Sequence, residues 1–425
     1  MAFNIEDYEL ALKQIYGASE KILQKQTTRY KSLGNKYSKE NPNDSFQLFS
    51  APGRVELSGN HTDHNHGRVL AASVNLDSIA AAGKNDSNQV LLHSDGYEVP
   101  FRVDLNRLQV DRNDKGSTVG LIRGIAARLK QINCKIGGFN AHVSSEVLPG
   151  SGLSSSASIE LLIGNIFNHL YNDGSISDQT LAKTGQYAEN KYFGKPCGLM
   201  DQMACAVGGI ISIDFENPEN PKLEEVEFDF NAQNYSLLVV DTGGNHVDLT
   251  KDYAAVPNEM KDVAAELDGV VLREFDSSTI ISRMPELRLK LGDRAVLRAM
   301  HFYTENSRVQ DQVLALRNND FRKFLDLTNA SGTSSFKYLQ NCFSTNNVRE
   351  QGVSLALVLS EKFITEIGQG ACRVHGGGFA GTILVLLPNA AVAGYKELIE
   401  AVFGKGSVLE LSIRSEGSII LSTNS

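Results

Sequence analysis

Apolar residues recur at helical spacing near the start of the chain and are followed by a polar stretch. The apolar positions are Tyr8, Leu12, Ile15 and Ile22. Because they stand among Lys and Gln, residues 5–30 are predicted to form an amphipathic surface helix. Residues 31–45 are polar and contain Gly, Pro and Asn, which predicts a loop or tether. Residues 1–45 are therefore expected to form an N-terminal extension.

From residue 46 the pattern changes to short β-rich runs separated by turn residues. These runs predict strands at 46–52, 68–83, 88–95 and 139–145. A strongly apolar run at 157–171 predicts a buried helix, and residues 181–194 predict a second helix that ends at Gly194.

The second half of the chain begins after a turn rich in Pro and Asn that follows Asp214. It predicts strands at 235–243 and 382–388 and helices at 251–268, 293–316 and 350–366. Strands and helices alternate without a βαβ period, so we expect a mixed α+β protein with domains at 46–225 and 226–425. Residues 407–422 predict one or two further strands, and packing of these strands on the first domain is left open.

Composition and charge narrow the possible functions. A net charge of −9 argues against a general nucleic-acid or membrane-surface binder, although a nest of backbone N–H groups can still hold an anion. The sequence has neither a bilayer-spanning apolar run nor a basic, apolar signal peptide. The five cysteines are scattered, which predicts reduced thiols in a cytoplasmic protein and argues against a structural zinc site.

The segment PGSGLSSSAS, Pro149–Ser158, joins a β-like run to the buried helix. Gly150 and Gly152 let the backbone approach a ligand closely, and free N–H groups at a helix start favour an anion. The serine hydroxyls offer further contacts to phosphate oxygens or a metal. A capped helix after a glycine turn explains the same pattern, and the segment is not a Walker loop because GxxxxGK[ST] is absent.

The segment GRVELSGNHTDHNHGR, residues 53–68, is crowded with polar groups. They are Arg54, Asn60, His61, Asp63, His64 and His66. This density suits a loop that binds a polyol through hydrogen bonds. A metal cluster is the weaker interpretation, because no Cys or further carboxylate joins the loop at ligand spacing. A solvated turn is the third interpretation of this segment, and the apolar residues on both sides of it argue against a solvated turn.

Two further segments carry candidate chemistry. Asp201 lies among apolar residues in GLMDQMACAVGG, where a carboxylate is either a helix cap or a functional base. The segment RVHGGGFAG contains Gly376, Gly377 and Gly378. Three consecutive glycines are costly in conformational entropy, so they indicate close approach of a backbone or a ligand.

Together and in this order, these motifs resemble those of the GHMP kinases and, within that superfamily, the galactokinase family. The family signature is approximately GRVNLIGEHTDYNGG, and residues 53–67 are GRVELSGNHTDHNHG. The other matching segments are the phosphate loop at 149–158, CGLMDQ at 197–202, the late glycine motif at 373–381, and weaker matches at 241–253 and 294–309.

The resemblance implies two α+β domains with the active site in the cleft between them. It also implies transfer of the γ-phosphoryl group of ATP, with Mg²⁺, to the anomeric hydroxyl of a sugar. Asp201 would accept the proton of that hydroxyl or orient it, and Arg54 would keep Asp201 ionised. Ser156 and Glu189 would help to hold Mg²⁺. ATP would contact Gly150, Gly152, Leu153, Ser154, Ser155 and Ser156, and the sugar would contact Asn60, His61, Asp63, Gly198 and Tyr253. We expect a monomer.

Three of the departures from the family signature remove an acid or add potential positive charge. Asn60 replaces a Glu that accepts a hydrogen bond from the sugar's C6 hydroxyl, His64 replaces Tyr, and His66 replaces Gly. Asn60 accepts a hydrogen bond more weakly than a carboxylate, but it would not repel a carboxylate on the substrate. Galactose is therefore the family default, and galacturonate is the alternative substrate.

A non-catalytic sugar-sensing regulator is the alternative from a different functional class. It predicts damage to the phosphate loop or to the base. The SSSAS run and Asp201 are intact, which favours catalysis.

Overall fold

The computed structural model describes residues 3–148, 150–244 and 249–423. The strands are β1 (Gln47–Ser58), β2 (Arg68–Lys84), β3 (Gln89–Ser94), β4 (Phe101–Asp104), β5 (Phe139–Ser145), β6 (Ile210–Asp214), β7 (Lys222–Glu225), β8 (Tyr235–Asp241), β9 (Ala371–His375), β10 (Thr382–Pro388), β11 (Val408–Leu411) and β12 (Ile419–Ile420). The α-helices are α1 (Glu9–Tyr16), α2 (Glu20–Glu40), α3 (Thr118–Gln131), α4 (Ser155–Tyr171), α5 (Asp178–Ala188), α6 (Met200–Val207), α7 (Thr250–Ala265), α8 (Ser277–Leu291), α9 (Asp293–Arg317), α10 (Phe321–Ser334), α11 (Gly352–Ile367) and α12 (Val392–Phe403).

The first sheet has the order β12-β1-β2-β5-β3-β4, and β6 with β7 extends it from the other end of β2. Alternate residues of β1 face different layers, as the pleat of a strand requires. Phe49 and Ala51 pack in the core formed with α3 to α6, whereas Leu48 packs against the N-terminal helices. Further along β1, Val55 and Leu57 pack towards the second sheet.

The second sheet is antiparallel, with the order β11-β8-β10-β9. Leu237 and Val239 of β8 face the first sheet, whereas Leu238 and Val240 face α11 and α12. The predicted mixed α+β fold is therefore confirmed. The predicted boundary after residue 225 stays a prediction, and β7, which ends at Glu225, pairs within the first sheet.

The N-terminal extension differs from its prediction in two ways. The single helix expected over 5–30 is interrupted at Gly17, whose φ of +78° ends α1. The loop expected at 31–45 is wrong up to residue 40, because α2 continues to Glu40. Its buried face carries Tyr30, Leu33 and Tyr37, which recur at helical spacing among lysines and other polar residues.

A buried carboxylate joins distant parts of the chain. Asp77 of β2 accepts hydrogen bonds from Tyr16 and from Arg29 of the N-terminal helices, at 2.5 Å each. It also accepts bonds from Ser50 at 2.5 Å and from Arg414 at 3.1 Å. The two guanidinium charges lower the pKa of Asp77 although burial raises it, so this carboxylate is ionised in the core.

The C-terminal segment reaches the first sheet. Phe49 of β1 lies opposite Ile420 of β12 in an antiparallel pair. Among the described residues, no helix is long and apolar enough to cross a membrane.

Candidate active site

Arg54, which is buried, forms an ion pair with the partly exposed Asp201 between β1 and the start of α6. Arg54 Nε donates to Asp201 Oδ1 at 2.6 Å, and Nη2 donates to Oδ2 at 2.8 Å. The remaining nitrogen, Nη1, donates to the carbonyl of Gly152 at 2.6 Å. Burial raises the pKa of Asp201, but the charge and hydrogen bonds of Arg54 prevail and lower it to about 2. The carboxylate is ionised, and 27% of the side chain is exposed.

The phosphate-loop residues meet this pair at the start of α4. Ser154 has left-handed backbone angles, with φ of +59°, and its hydroxyl donates to Asp201 Oδ2 at 2.5 Å. Strained non-glycine residues of this kind cluster at functional sites. A Cβ on Gly152 would lie 2.2 Å from Thr382 Oγ1, which explains the glycine as a close approach between the loop and β10. Pro149, the first residue of the predicted loop, lies outside the described residues.

Two oxygen ligands suited to Mg²⁺ lie at the start of α4. The hydroxyl of Ser156 donates to Glu189 Oε1 at 2.8 Å. Glu189 opens a π-helical turn, Glu189–Phe193, that follows α5 and ends at Gly194. Such turns often mark functional positions in helices. Lys195 and Gln202 also bond to this carboxylate.

The side chain of Asn60 is turned into the protein. It is fully buried, and its amide nitrogen donates to Glu56 Oε1 at 2.9 Å and to the carbonyl of Gly376 at 2.7 Å. Its amide oxygen accepts a bond from Asn341 at 2.7 Å. Every polar atom of the side chain therefore has a protein partner. The prediction that Asn60 contacts the sugar's C6 group stays a prediction, and it requires these bonds to rearrange.

The other predicted sugar ligands lie between the same loop and the late glycine motif. His61 Nε2 bonds to the carbonyl of Gly377 at 3.0 Å, and burial lowers the pKa of His61 to about 3. Asp63 lies directly against Gly198, since a Cβ there would be 1.8 Å from Asp63 Oδ2. The hydroxyl of Tyr253 donates to the carbonyl of Gly378 at 3.0 Å.

The weaker match at 241–253 includes residues 245–248, which lie outside the described residues. The alternative of a metal cluster in the histidine-rich loop has no support among the described residues, where His61, Asp63, His64 and His66 do not form a convergent ligand group.

Sequence reasoning missed a buried ion pair beside Asn60. Arg373 Nη2 donates to Glu56 Oε1 at 2.7 Å. The backbone N–H of Glu56 donates to His375 Nε2 at 3.0 Å, and the other ring nitrogen of His375 bonds to Thr382 at 3.1 Å. The signature has Asn at position 56 and Glu at position 60, whereas this chain has Glu56 and Asn60. The two residue types are exchanged between neighbouring side chains, and this exchange could have been noticed in the sequence.

Comparisons with known proteins place this chain, with its two-sheet α+β fold and its glycine-rich helix start against an Arg–Asp pair, among the GHMP kinases. The family model "GHMP kinases N terminal domain" matches residues 120–209, and the model "Galactokinase galactose-binding signature" matches residues 34–84. A solved Lactococcus lactis galactokinase in complex with galactose is similar in fold, with a TM-score of 0.79, 24% identity, and coverage of 92% of this chain and 99% of that one. A solved mevalonate kinase is also similar in fold, with a TM-score of 0.60, 17% identity, and coverage of 87% of this chain and 99% of that one.

Curated relatives identify the family within this superfamily. A galactokinase of Glaesserella parasuis is 31% identical over 83% of this chain and 88% of its own length. A galactokinase of Streptomyces coelicolor is 30% identical over 84% of this chain and 88% of its own length. The chain belongs to the galactokinase family, and it is a sugar kinase of the galactokinase type.

Proposed function

We propose that the protein transfers the γ-phosphoryl group of ATP to the anomeric hydroxyl of galactose, forming the sugar 1-phosphate. The observation that carries the proposal is the Arg54–Asp201 pair held directly against Ser154 and Gly152 of the phosphate loop. A phosphoryl group bound at this loop would lie beside the carboxylate of Asp201, which would face the sugar hydroxyl. Phosphoryl transfer depends mainly on such positioning and on charge stabilisation.

The depressed pKa of Asp201 supports a role in positioning the sugar hydroxyl. A carboxylate with a pKa of about 2 is a weak base, so it removes little of the proton before the new bond forms. We infer that Asp201 accepts a hydrogen bond from the anomeric hydroxyl and orients its oxygen towards the γ-phosphorus. The O–P bond then forms, the bond to the bridging oxygen of ATP breaks with its electron pair leaving on ADP, and the proton passes to Asp201 and then to solvent. Arg54 keeps Asp201 ionised until that proton arrives and favours the release of the proton to solvent.

Magnesium is expected at Ser156 and Glu189. Their oxygens lie 2.8 Å apart beside the loop, and hydroxyl and carboxylate oxygens are the ligands that Mg²⁺ prefers. When bound there with the phosphates of ATP, the ion would supply charge neutralisation. Ser154 and Ser155 would add donors to the phosphates, as would the backbone of Gly150, Gly152 and Leu153.

The sugar is expected between the histidine-rich loop and Gly198. Asp63 and His61 would bind its hydroxyls, together with Tyr253 beside the late glycine motif. We propose galactose as the substrate, since relatives matched over most of their length are named galactokinases. The galacturonate alternative rested on Asn60, whose amide is fully engaged by protein groups.

The test is an ADP-release assay with Mg-ATP against galactose, galacturonate, glucuronate, N-acetylgalactosamine and glucose, comparing kcat/KM. We expect galactose to lead, and Asp201→Ala to lose turnover while still binding the sugar in calorimetry. A higher kcat/KM for galacturonate than for galactose would overturn the proposal that galactose is the substrate. Near-normal kcat in Asp201→Ala would overturn the role of Asp201. ATP binding without turnover on any sugar would favour the regulator.

A further inference from the structure

Three potential metal ligands converge on the side of the first sheet that carries the N-terminal helices. Glu40 is the last residue of α2, His93 lies on β3, and His142 lies opposite His93 on the parallel strand β5. Glu40 Oε2 lies 3.1 Å from His142 Nε2 and 3.3 Å from His93 Nε2. The two imidazole rings are nearly parallel, at 9°, with their centroids 4.7 Å apart. Both rings therefore present the same nitrogen to one carboxylate oxygen.

These distances fit a tetrahedral ion. Zinc binds histidine nitrogen and carboxylate oxygen at roughly 2.0–2.2 Å, so adjacent ligand atoms of a tetrahedron are about 3.3 Å apart. The two Glu40–histidine distances already have this length, and the ligand atoms of all three residues lie within 4.8 Å of one another.

Bonds on both sides hold the carboxylate in place. One turn before Glu40, Lys36 pairs with Asp95, just after β3, at 2.5 Å. One residue after it, Asn41 accepts a bond from Asn140 of β5 at 2.6 Å. The end of α2 is thus fixed over β3 and β5 before any ion binds, and such positioning of ligands favours metal affinity.

Exposure and charge also suit an ion with an open coordination position. His142 is almost buried, His93 is 32% exposed and Glu40 is 48% exposed, so water can reach a fourth position. The carboxylate of Glu40 supplies a negative charge that favours a divalent cation.

We propose that Glu40, His93 and His142 bind Zn²⁺ and that the ion fastens the N-terminal helix α2 to the first sheet. Histidine nitrogen selects zinc-like ions over Mg²⁺, so this site is chemically distinct from the magnesium site expected at Ser156 and Glu189. The expectation against a structural zinc site considered only cysteine ligands.

The test uses the full chain, stripped of metal by a chelator and free of nucleotide. Zn²⁺ is titrated by calorimetry, Co²⁺ binding is followed by visible absorption, and thermal unfolding is measured with and without Zn²⁺. The variants are Glu40→Gln and His93→Asn, both at partly exposed positions. His169→Asn, on α4 and outside the cluster, is the matched control.

We expect one Zn²⁺ per chain and a rise in Tm with Zn²⁺ for the wild type and His169→Asn. Binding should be at least tenfold weaker in Glu40→Gln and His93→Asn, with the Co²⁺ bands lost. Kinase turnover of Glu40→Gln shows that the chain is folded. Unchanged zinc affinity in Glu40→Gln, or absence of zinc binding in the wild type, would overturn the proposal and leave a hydrogen-bonded ion cluster.

Discussion

Arg54→Lys separates charge from geometry at the Arg54–Asp201 pair. Lysine keeps the positive charge but offers a single ammonium group, whereas Arg54 donates through three nitrogens to Asp201 and Gly152. The variant therefore loses about two charge-assisted hydrogen bonds, each worth roughly 1.5–3 kcal/mol. If half of that loss falls on the transition state, kcat decreases about 10- to 200-fold, at 1.36 kcal/mol per factor of ten.

The assay is ADP release at saturating galactose and ATP, with KM measured for both. We expect the loss in kcat, since Arg54 acts on the group that orients the sugar hydroxyl. Arg317→Lys, which alters the exposed pair with Glu224 at 2.9 Å, is the control and should behave as wild type. A kcat of Arg54→Lys within threefold of wild type would refute the geometric argument.

The same pair predicts a pH dependence. The pKa of Asp201 is about 2 in the folded protein against an ordinary value of 3.8, so ionised Asp201 stabilises the fold above about pH 4. That contribution, about 2 kcal/mol, is lost as the pH falls from about 4 to about 2. In Arg54→Lys the pKa of Asp201 should rise, because lysine makes fewer hydrogen bonds to the carboxylate and so offsets less of the effect of burial. The acid limb of kcat should therefore move to higher pH than in the wild type.

Two further predictions concern neighbouring side chains. Gly152→Ala should weaken ATP binding about tenfold more than Gly150→Ala, measured by calorimetry. Both glycines have positive φ, but only a Cβ at residue 152 meets Thr382, at 2.2 Å; equal affinities would contradict the close approach. Asn60→Glu should lower the free energy of unfolding by several kcal/mol in urea, because its carboxylate would face Glu56 in the core. The double variant Glu56→Asn/Asn60→Glu should recover most of this loss. If the changes in unfolding free energy of the two single variants simply add up in the double variant, the two positions are independent and the reasoning is wrong.

The sequence predicted the elements whose apolar pattern is local. The buried helix at 157–171 appears as α4, because a run of apolar residues on all sides leaves a buried helix as the stable arrangement. The continuation of α2 was missed because Tyr30, Leu33 and Tyr37 are separated by lysines, a serine, a glycine and an asparagine. Their helical spacing was present in the sequence, but the polar composition of residues 31–45 led to the prediction of a loop.

The candidate site shows the same limit more sharply. The motif residues Arg54 and Asp201 could be paired through the family resemblance, and the structure brings them into contact. The environment of Asn60 could not be predicted, because its partners Gly376 and Asn341 are about 280 or more residues away. Such contacts depend on how two sheets pack, and no local pattern records that packing.

The Asp77 cluster has a consequence for the order in which the chain folds during synthesis. Arg29 and Tyr16 leave the ribosome before Asp77, but Arg414 follows Asp77 by 337 residues and the β12 strand comes later still. Until then, the ionised carboxylate lacks one of its two cationic partners, and the outer edge of β1 has no strand beside it. The first sheet is therefore expected to reach its final stability only after Arg414 and β12 have been synthesised, and until then its open edge leaves unpaired backbone groups that favour aggregation.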